Sequence, residues 1–191
     1  MKADDIMEDN IQKAERFLRE AFVKNPGYSF GDPEIMIGHS RTVRDVSLQI
    51  AERMECDKEL LEIMALWHDI GKAHEADWKV LRERHDELGY EVTKDILPEL
   101  NLSVEQKEKL VAFLRGDLNS SSEAQMAKDA DIIAFFADEK LQAALKKWAD
   151  GKGFSSELQR KIAGVDRLRF EISKELVKHP LEAMKKYWNL L

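Results

Sequence analysis

Apolar residues along this chain recur at three- and four-residue intervals, the period of one helix face, and no stretch alternates with period two for long enough to make a strand. The pattern predicts a first helix from about Asp5 to Lys24. Its apolar stripe is Ile11, Ala14, Phe17, Leu18, Ala21 and Phe22, and Asn25-Pro26-Gly27 stops it. Pro33, after Asp32, suits the first turn of a second helix reaching about Glu55, with Ile35, His39, Val43, Val46 and Ile50 on one face. Asp57 is placed to cap a third helix over Lys58–Asp69, and Gly71 to end it. A fourth helix covers about Arg84 to Leu97, before Pro98. Ser103-Val104-Glu105-Gln106 reads as a capping box opening a fifth, to about Arg115. After a polar loop at Asn119–Ser122, a helix from Glu123 turns Ala127, Ala130, Asp131, Ala134 and Phe135 inward. It continues or bends near Asp138 toward Trp148. Gly151 and Gly153 mark a break; Ser155 then caps a long helix to about Lys178, and Pro180 opens a short terminal one.

The composition supports an all-α fold, since good helix formers dominate and only 9 Gly and 4 Pro occur in 191 residues. That length suits one domain spanning 1–191, with a helical extension at 151–191. A formal charge of −7 argues against binding duplex nucleic acid, which is held by clustered Lys and Arg. A small anionic substrate is still compatible, because a bound metal inverts the local field. Cys56 is the single cysteine, so neither an intrachain disulfide nor a Cys-based zinc site is expected. Met1-Lys2-Ala3-Asp4-Asp5 has no apolar signal character, and no run is long enough to span a bilayer. The expectation is a soluble cytoplasmic protein without a membrane partner; a homo-oligomer stays open.

Four side chains change this picture. His39 lies on the same apolar face as Val43 and Val46 and points toward the core. His68 and Asp69 are adjacent, about 100° apart on a helical wheel, but side chains at a helix end converge once the backbone leaves helical geometry. A carboxylate in a last turn opposes the helix dipole and needs compensation, from a metal or from Lys72. Asp131 sits among Ala127, Ala134 and Phe135, where a charge is costly unless paired or metal-bound, whereas Asp129 points elsewhere and reads as solvated. Imidazole and carboxylate together suit a divalent transition metal that activates water.

Gly38-His39-Ser40, His68-Asp69-Ile70-Gly71-Lys72 and Asp129-Ala130-Asp131-Ile132 stand in the order of the motifs of HD-domain metal-dependent phosphohydrolases. His85-Asp86-Glu87-Leu88-Gly89-Tyr90 resembles that family's His-x-x-x-Gly helix start. The resemblance covers residues 33 to about 140. It implies an all-α HD-domain helical bundle with His39, His68, Asp69 and Asp131 as metal ligands. Family members with two metals carry one extra histidine at the His85 position and another near the end of the following helix. Here that second place reads Phe113-Leu114-Arg115-Gly116-Asp117, without histidine. One tight ion is therefore expected, and His85 either contacts substrate phosphate, holds a weaker second metal with Asp117, or simply hydrogen-bonds. The Gly-Tyr-Pro element of the superfamily's cyclic-di-GMP phosphodiesterases is absent, so that substrate is not carried over.

The resemblance implies a metal-dependent phosphohydrolase, a phosphomonoesterase or phosphodiesterase, acting on a nucleotide or other small phosphorylated metabolite. Mn, Fe, Co, Ni or Zn would suit the mixed donors. Asp69 is the candidate proton acceptor and Lys72 the candidate phosphate-neutralising group. Among Arg41, Arg44, Arg82, Arg84 and Arg115, the last is favoured as a phosphate contact because of its place in the family pattern. Trp67 and Trp78 read as packing residues, His179 as structural, and His74-Glu75 as a loop pair. The competing expectation is a non-catalytic metal-bound or ligand-sensing helical module.

Overall fold

The structure, a computed structural model, describes residues 8–26, 29–75, 77–148 and 152–188. Ten α-helices form among them and no strand does: α1 Asn10–Lys24, α2 Pro33–Ala51, α3 Lys58–Trp67, α4 Trp78–Thr93, α5 Val104–Leu114, α6 Ser122–Ala137, α7 Glu139–Trp148, α8 Lys152–Gly164, α9 Glu171–Leu176 and α10 Lys178–Tyr187. The all-α expectation holds. The side chains of Trp78, Arg82 and Ser155, like residues 1–7, lie outside the description.

Local signals set most helix ends. Asp9 and Gln12 form a reciprocal capping box, so α1 begins at Asn10 rather than near Asp5. Asp57 accepts the N–H of Leu60, and Ser103 and Gln106 form the expected capping box. The fourth helix starts earlier than its apolar pattern suggests. Asp77 accepts the N–H groups of Lys79 and Val80, opening α4 at Trp78 rather than near Arg84. Asp138 ends α6 and accepts the N–H of Leu141 at 2.9 Å, so the chain breaks there instead of continuing.

The helix expected from Ser155 to Lys178 is not continuous. α8 stops at Gly164, a 3₁₀ turn spans Val165–Arg167, and Leu168 is extended at φ −60°, ψ 128° with its side chain buried. Asp129 explains the break. Its carboxylate accepts the backbone N–H of Arg169 at 3.0 Å and of Phe170 at 3.2 Å, satisfying donors that a continuing helix would have used internally. Asp129 is thus buried at 2 % exposure, correcting the expectation that it faces solvent.

Packing places the site where α2, α3 and α6 meet, each touching the other two, with α1 over α2 and α3. Trp67 is fully buried, and its indole N–H donates to the Ala14 carbonyl at 3.0 Å, tying α1 to the end of α3. Glu123 in the first turn of α6 accepts the Asp57 N–H at 3.0 Å, which fixes α6 against the start of α3. α4 lies directly on the 3₁₀ turn Ile70–Ala73 that follows His68-Asp69. A Cβ on Gly71 would stand 1.9 Å from the His85 carbonyl oxygen and 2.9 Å from the Gly89 nitrogen. Gly71 therefore serves less to end α3 than to let α4 come into backbone contact. No helix among the described residues is long and apolar enough to cross a membrane.

Candidate metal centre

His39 is carried inward by the apolar stripe of α2 and is 1 % exposed. Its Nε2 lies 3.4 Å from Asp131 Oδ1 and its Nδ1 3.4 Å from Asp138 Oδ2. The imidazole titrates above its ordinary value: burial opposes the charge, but Asp131 and Asp138 outweigh it.

At the end of α3 the backbone does what convergence of adjacent side chains requires. His68 is still helical, whereas Asp69 adopts φ −113°, ψ 11° and begins the 3₁₀ turn. His68 Nδ1 donates to the Ala65 carbonyl at 2.9 Å, which fixes the ring and turns Nε2 toward the carboxylates. That Nε2 is buried without a well-directed hydrogen bond, 3.2 Å from Asp69 Oδ2 and 3.8 Å from Asp131 Oδ1. His85 repeats the arrangement from α4. Its Nδ1 donates to the Leu81 carbonyl at 3.0 Å, and its Nε2 faces Asp69 Oδ1 at 3.3 Å and Asp86 Oδ1 at 3.4 Å.

These distances suit a shared ion. Donors bound at about 2.1 Å to one tetrahedral or octahedral metal lie roughly 3.0–3.4 Å apart at adjacent positions. One ligand atom each from His39, His68 and Asp69 lies within 4.8 Å of the others. Asp131 is not part of that set of three, but its Oδ1 approaches both histidines, at 3.4 Å from His39 Nε2 and 3.8 Å from His68 Nε2, and the two rings stand edge to face at 5.3 Å. The buried, unsatisfied Nε2 of His68 is the atom a cation would satisfy.

Lysines surround the carboxylates. Lys72 Nζ lies 2.5 Å from Asp69 Oδ2; Lys128 Nζ lies 3.4 Å from Asp131 Oδ2, and Lys161 Nζ 3.5 Å from Asp131 Oδ1. Burial alone would raise the carboxyl of Asp69, but Lys72 and His68 hold it well below the usual range. Burial likewise acts on Asp131, and Lys161 and Lys128 reverse it. Lys161 itself is pulled down by its own burial.

Other candidates lie elsewhere. Arg115 is exposed and stacks on the Tyr90 ring at 4.2 Å, while Asp117 accepts the Asn119 N–H; neither is bonded to the cluster. Arg41 and Arg44 pair with Glu15, and Arg84 with Glu87. His179 is exposed on α10, and Glu75 faces Lys24 at 3.7 Å. Sequence reasoning passed over Asp86, Lys128, Asp138 and Lys161. Asp138 had a readable signal, two helical turns beyond Asp131, and Lys128 lies one turn before it. Lys161 comes from the extension and had none.

A family model described as HD domain matches residues 36–136, more than half of the chain, and all four proposed ligands fall inside the match. The chain belongs to the HD-domain family, within a superfamily of metal-dependent phosphohydrolases. No curated protein and no solved structure matches it significantly.

Proposed function

We propose that this chain is a phosphohydrolase that uses a divalent transition metal held by His39, His68, Asp69 and Asp131 to hydrolyse a nucleotide or other small phosphorylated metabolite. The observation that carries this reading is the common orientation of three histidines. His68 and His85 anchor Nδ1 on a carbonyl one turn back, and His39 sets Nδ1 against Asp138. All three Nε2 atoms then face the Asp69 and Asp131 carboxylates. That is how a protein fixes imidazole tautomers for metal binding.

A bound divalent ion supplies a water acidified toward neutral pH and neutralises charge on the phosphoryl group. Asp69 offers one oxygen toward His68 and Lys72 and the other toward His85, so it can hold a cation and accept a proton. Lys72, 15 % exposed beside it, neutralises phosphoryl oxygens. His85, with Asp86, stands on the far side of Asp69, placed for substrate phosphate or a weaker second ion.

One observation favours a second reading. Lys72, Lys128 and Lys161 already balance Asp69 and Asp131, as suits a non-catalytic, ligand-sensing module. Metal analysis of the purified protein, followed by phosphate release from a panel of phosphorylated compounds with Mn, Fe, Co, Ni and Zn, separates the two. We expect one tightly bound equivalent and turnover on some member of the panel. Asp69→Asn should nearly abolish turnover, and Lys72→Ala should keep the metal but lose about 10²–10³ in rate. Stoichiometric metal with no hydrolysis anywhere in the panel would overturn the enzyme reading and leave the sensing module. A fully active Lys72→Ala would reduce Lys72 to a counter-charge for Asp69.

A further inference from the structure

A cavity of about 260 Å³ opens beside Asp131, between α6 and the turn that ends α8. Its walls carry Lys128, Arg160, Lys161, Arg167 and Arg169. Against these five cations stand two carboxylates, and both are engaged. Asp129 is held by the backbone N–H groups of Arg169 and Phe170, and Asp131 faces the histidines and two of the lysines. On a chain of net charge −7 this is a concentrated positive surface, and it is concave.

The groups divide into two sets. Lys128 and Lys161 reach the metal cluster through Asp131 and so mark where the cavity joins it. Arg160 and Arg167 are exposed on the outer side, and no ion pair among the described residues includes Arg167. Arg169 is oriented by a hydrogen bond from its guanidinium to Asn119 Oδ1 at 2.5 Å. Guanidinium groups present planar, forked donors that match phosphate oxygens. The volume falls below that of a typical pocket enclosing a whole drug-sized ligand, and suits one charged end of a molecule.

We propose that this cavity is a second phosphoanion subsite, so that the substrate carries at least two phosphoryl groups. One lies at the metal centre and the other among Lys161, Arg160 and Arg167. The extension therefore completes the substrate site, and compounds with a pyrophosphoryl or second phosphate group are preferred over monophosphates. The inference rests on the proposed phosphohydrolase reading for the metal centre, but its test does not require turnover.

The test is calorimetric titration of metal-free, dialysed protein with inorganic pyrophosphate and with inorganic phosphate. Pyrophosphate should bind, more tightly than phosphate. Arg167→Gln and Arg160→Gln, both at exposed positions, should each weaken it roughly tenfold, the effect of losing one charge-assisted hydrogen bond. Arg84→Gln, remote and paired with Glu87, is the control for bulk charge. Absence of pyrophosphate binding to the wild type would overturn the subsite. So would binding indifferent to both cavity variants, or weakened as much by Arg84→Gln. A chain that binds pyrophosphate in this way yet hydrolyses nothing with metal present would sink the catalytic reading and leave the subsite standing.

Discussion

Replacing Gly71 by alanine tests whether the site depends on backbone contact between α4 and the turn after Asp69. The added Cβ would sit 1.9 Å from the His85 carbonyl oxygen, whereas real Cβ contacts are essentially never below 3.0 Å. The obstructing atom is backbone, so no rotamer change relieves it, and α4 must retreat by about 1 Å or more. Overpacking of this kind costs roughly 1–3 kcal/mol, occasionally more. For a chain of this size that corresponds to about 2–4 °C in Tm per kcal/mol, hence a loss of roughly 2–12 °C. The same retreat carries His85 away from Asp69, now 3.3 Å distant. Gly38→Ala provides the internal control. Gly38 lies within α2 next to His39, and a Cβ there meets nothing within 4 Å. Removing a helical glycine should stabilise by about 0.5–1 kcal/mol. Thermal unfolding by circular dichroism should therefore show opposite signs for the two variants. Equal melting temperatures for Gly71→Ala and wild type would refute the close approach.

Further expectations concern groups that act through the cluster or hold the extension. Asp138→Asn should weaken metal affinity about 10–100-fold with the fold intact, because it removes the carboxylate facing His39 Nδ1; metal titration monitored by competition with a chelator reads this. Asp129→Ala leaves two backbone N–H groups without their acceptor, at about 1–3 kcal/mol each if they remain buried, and should speed proteolysis within 165–170; an unchanged cleavage rate would show that Asp129 does not hold that segment. Burial would raise Glu123, but the Asp57 N–H and its own backbone hold it below its ordinary value. Its contribution is therefore present above the unfolded-state pKa and is lost as pH falls through the lower, folded value. Glu123→Gln should flatten the acid limb of a stability-versus-pH curve, and an unchanged limb would show that this carboxylate contributes nothing there.

What was legible in the sequence was what is decided locally. The stripes of α1 and α2, the Asp57 and Ser103 caps and the inward face of Asp131 follow from spacing over a turn or two, and the structure places them as expected. Convergence of His68 with Asp69 followed from their position at a helix end. Asp129 was misread because its burial depends on backbone donors 40 and 41 residues away, which no periodicity encodes. The division of the C-terminal helix has the same origin, since Asp129 is the acceptor that makes an extended Arg169-Phe170 tolerable. Arg115 is favoured by its position in a motif and stacks on Tyr90, whereas the cations that crowd the histidine cluster include Lys161, from an extension whose own pattern says nothing of where it docks.

The contact between Lys161 and Asp131 has a thermodynamic consequence. One carboxylate serves the Lys161 ammonium from the extension, the Lys128 ammonium of its own helix and the cation proposed for the histidine cluster. A divalent ion on Asp131 would weaken its hold on Lys161 and free that charge for an anion in the adjoining cavity. An anion that draws Lys161 away leaves Asp131 a better ligand by the same free energy, since coupling between two binding events is reciprocal. If metal and polyanion bind as proposed, they do so with positive cooperativity, and the movement this coupling needs is that of the Lys161 side chain.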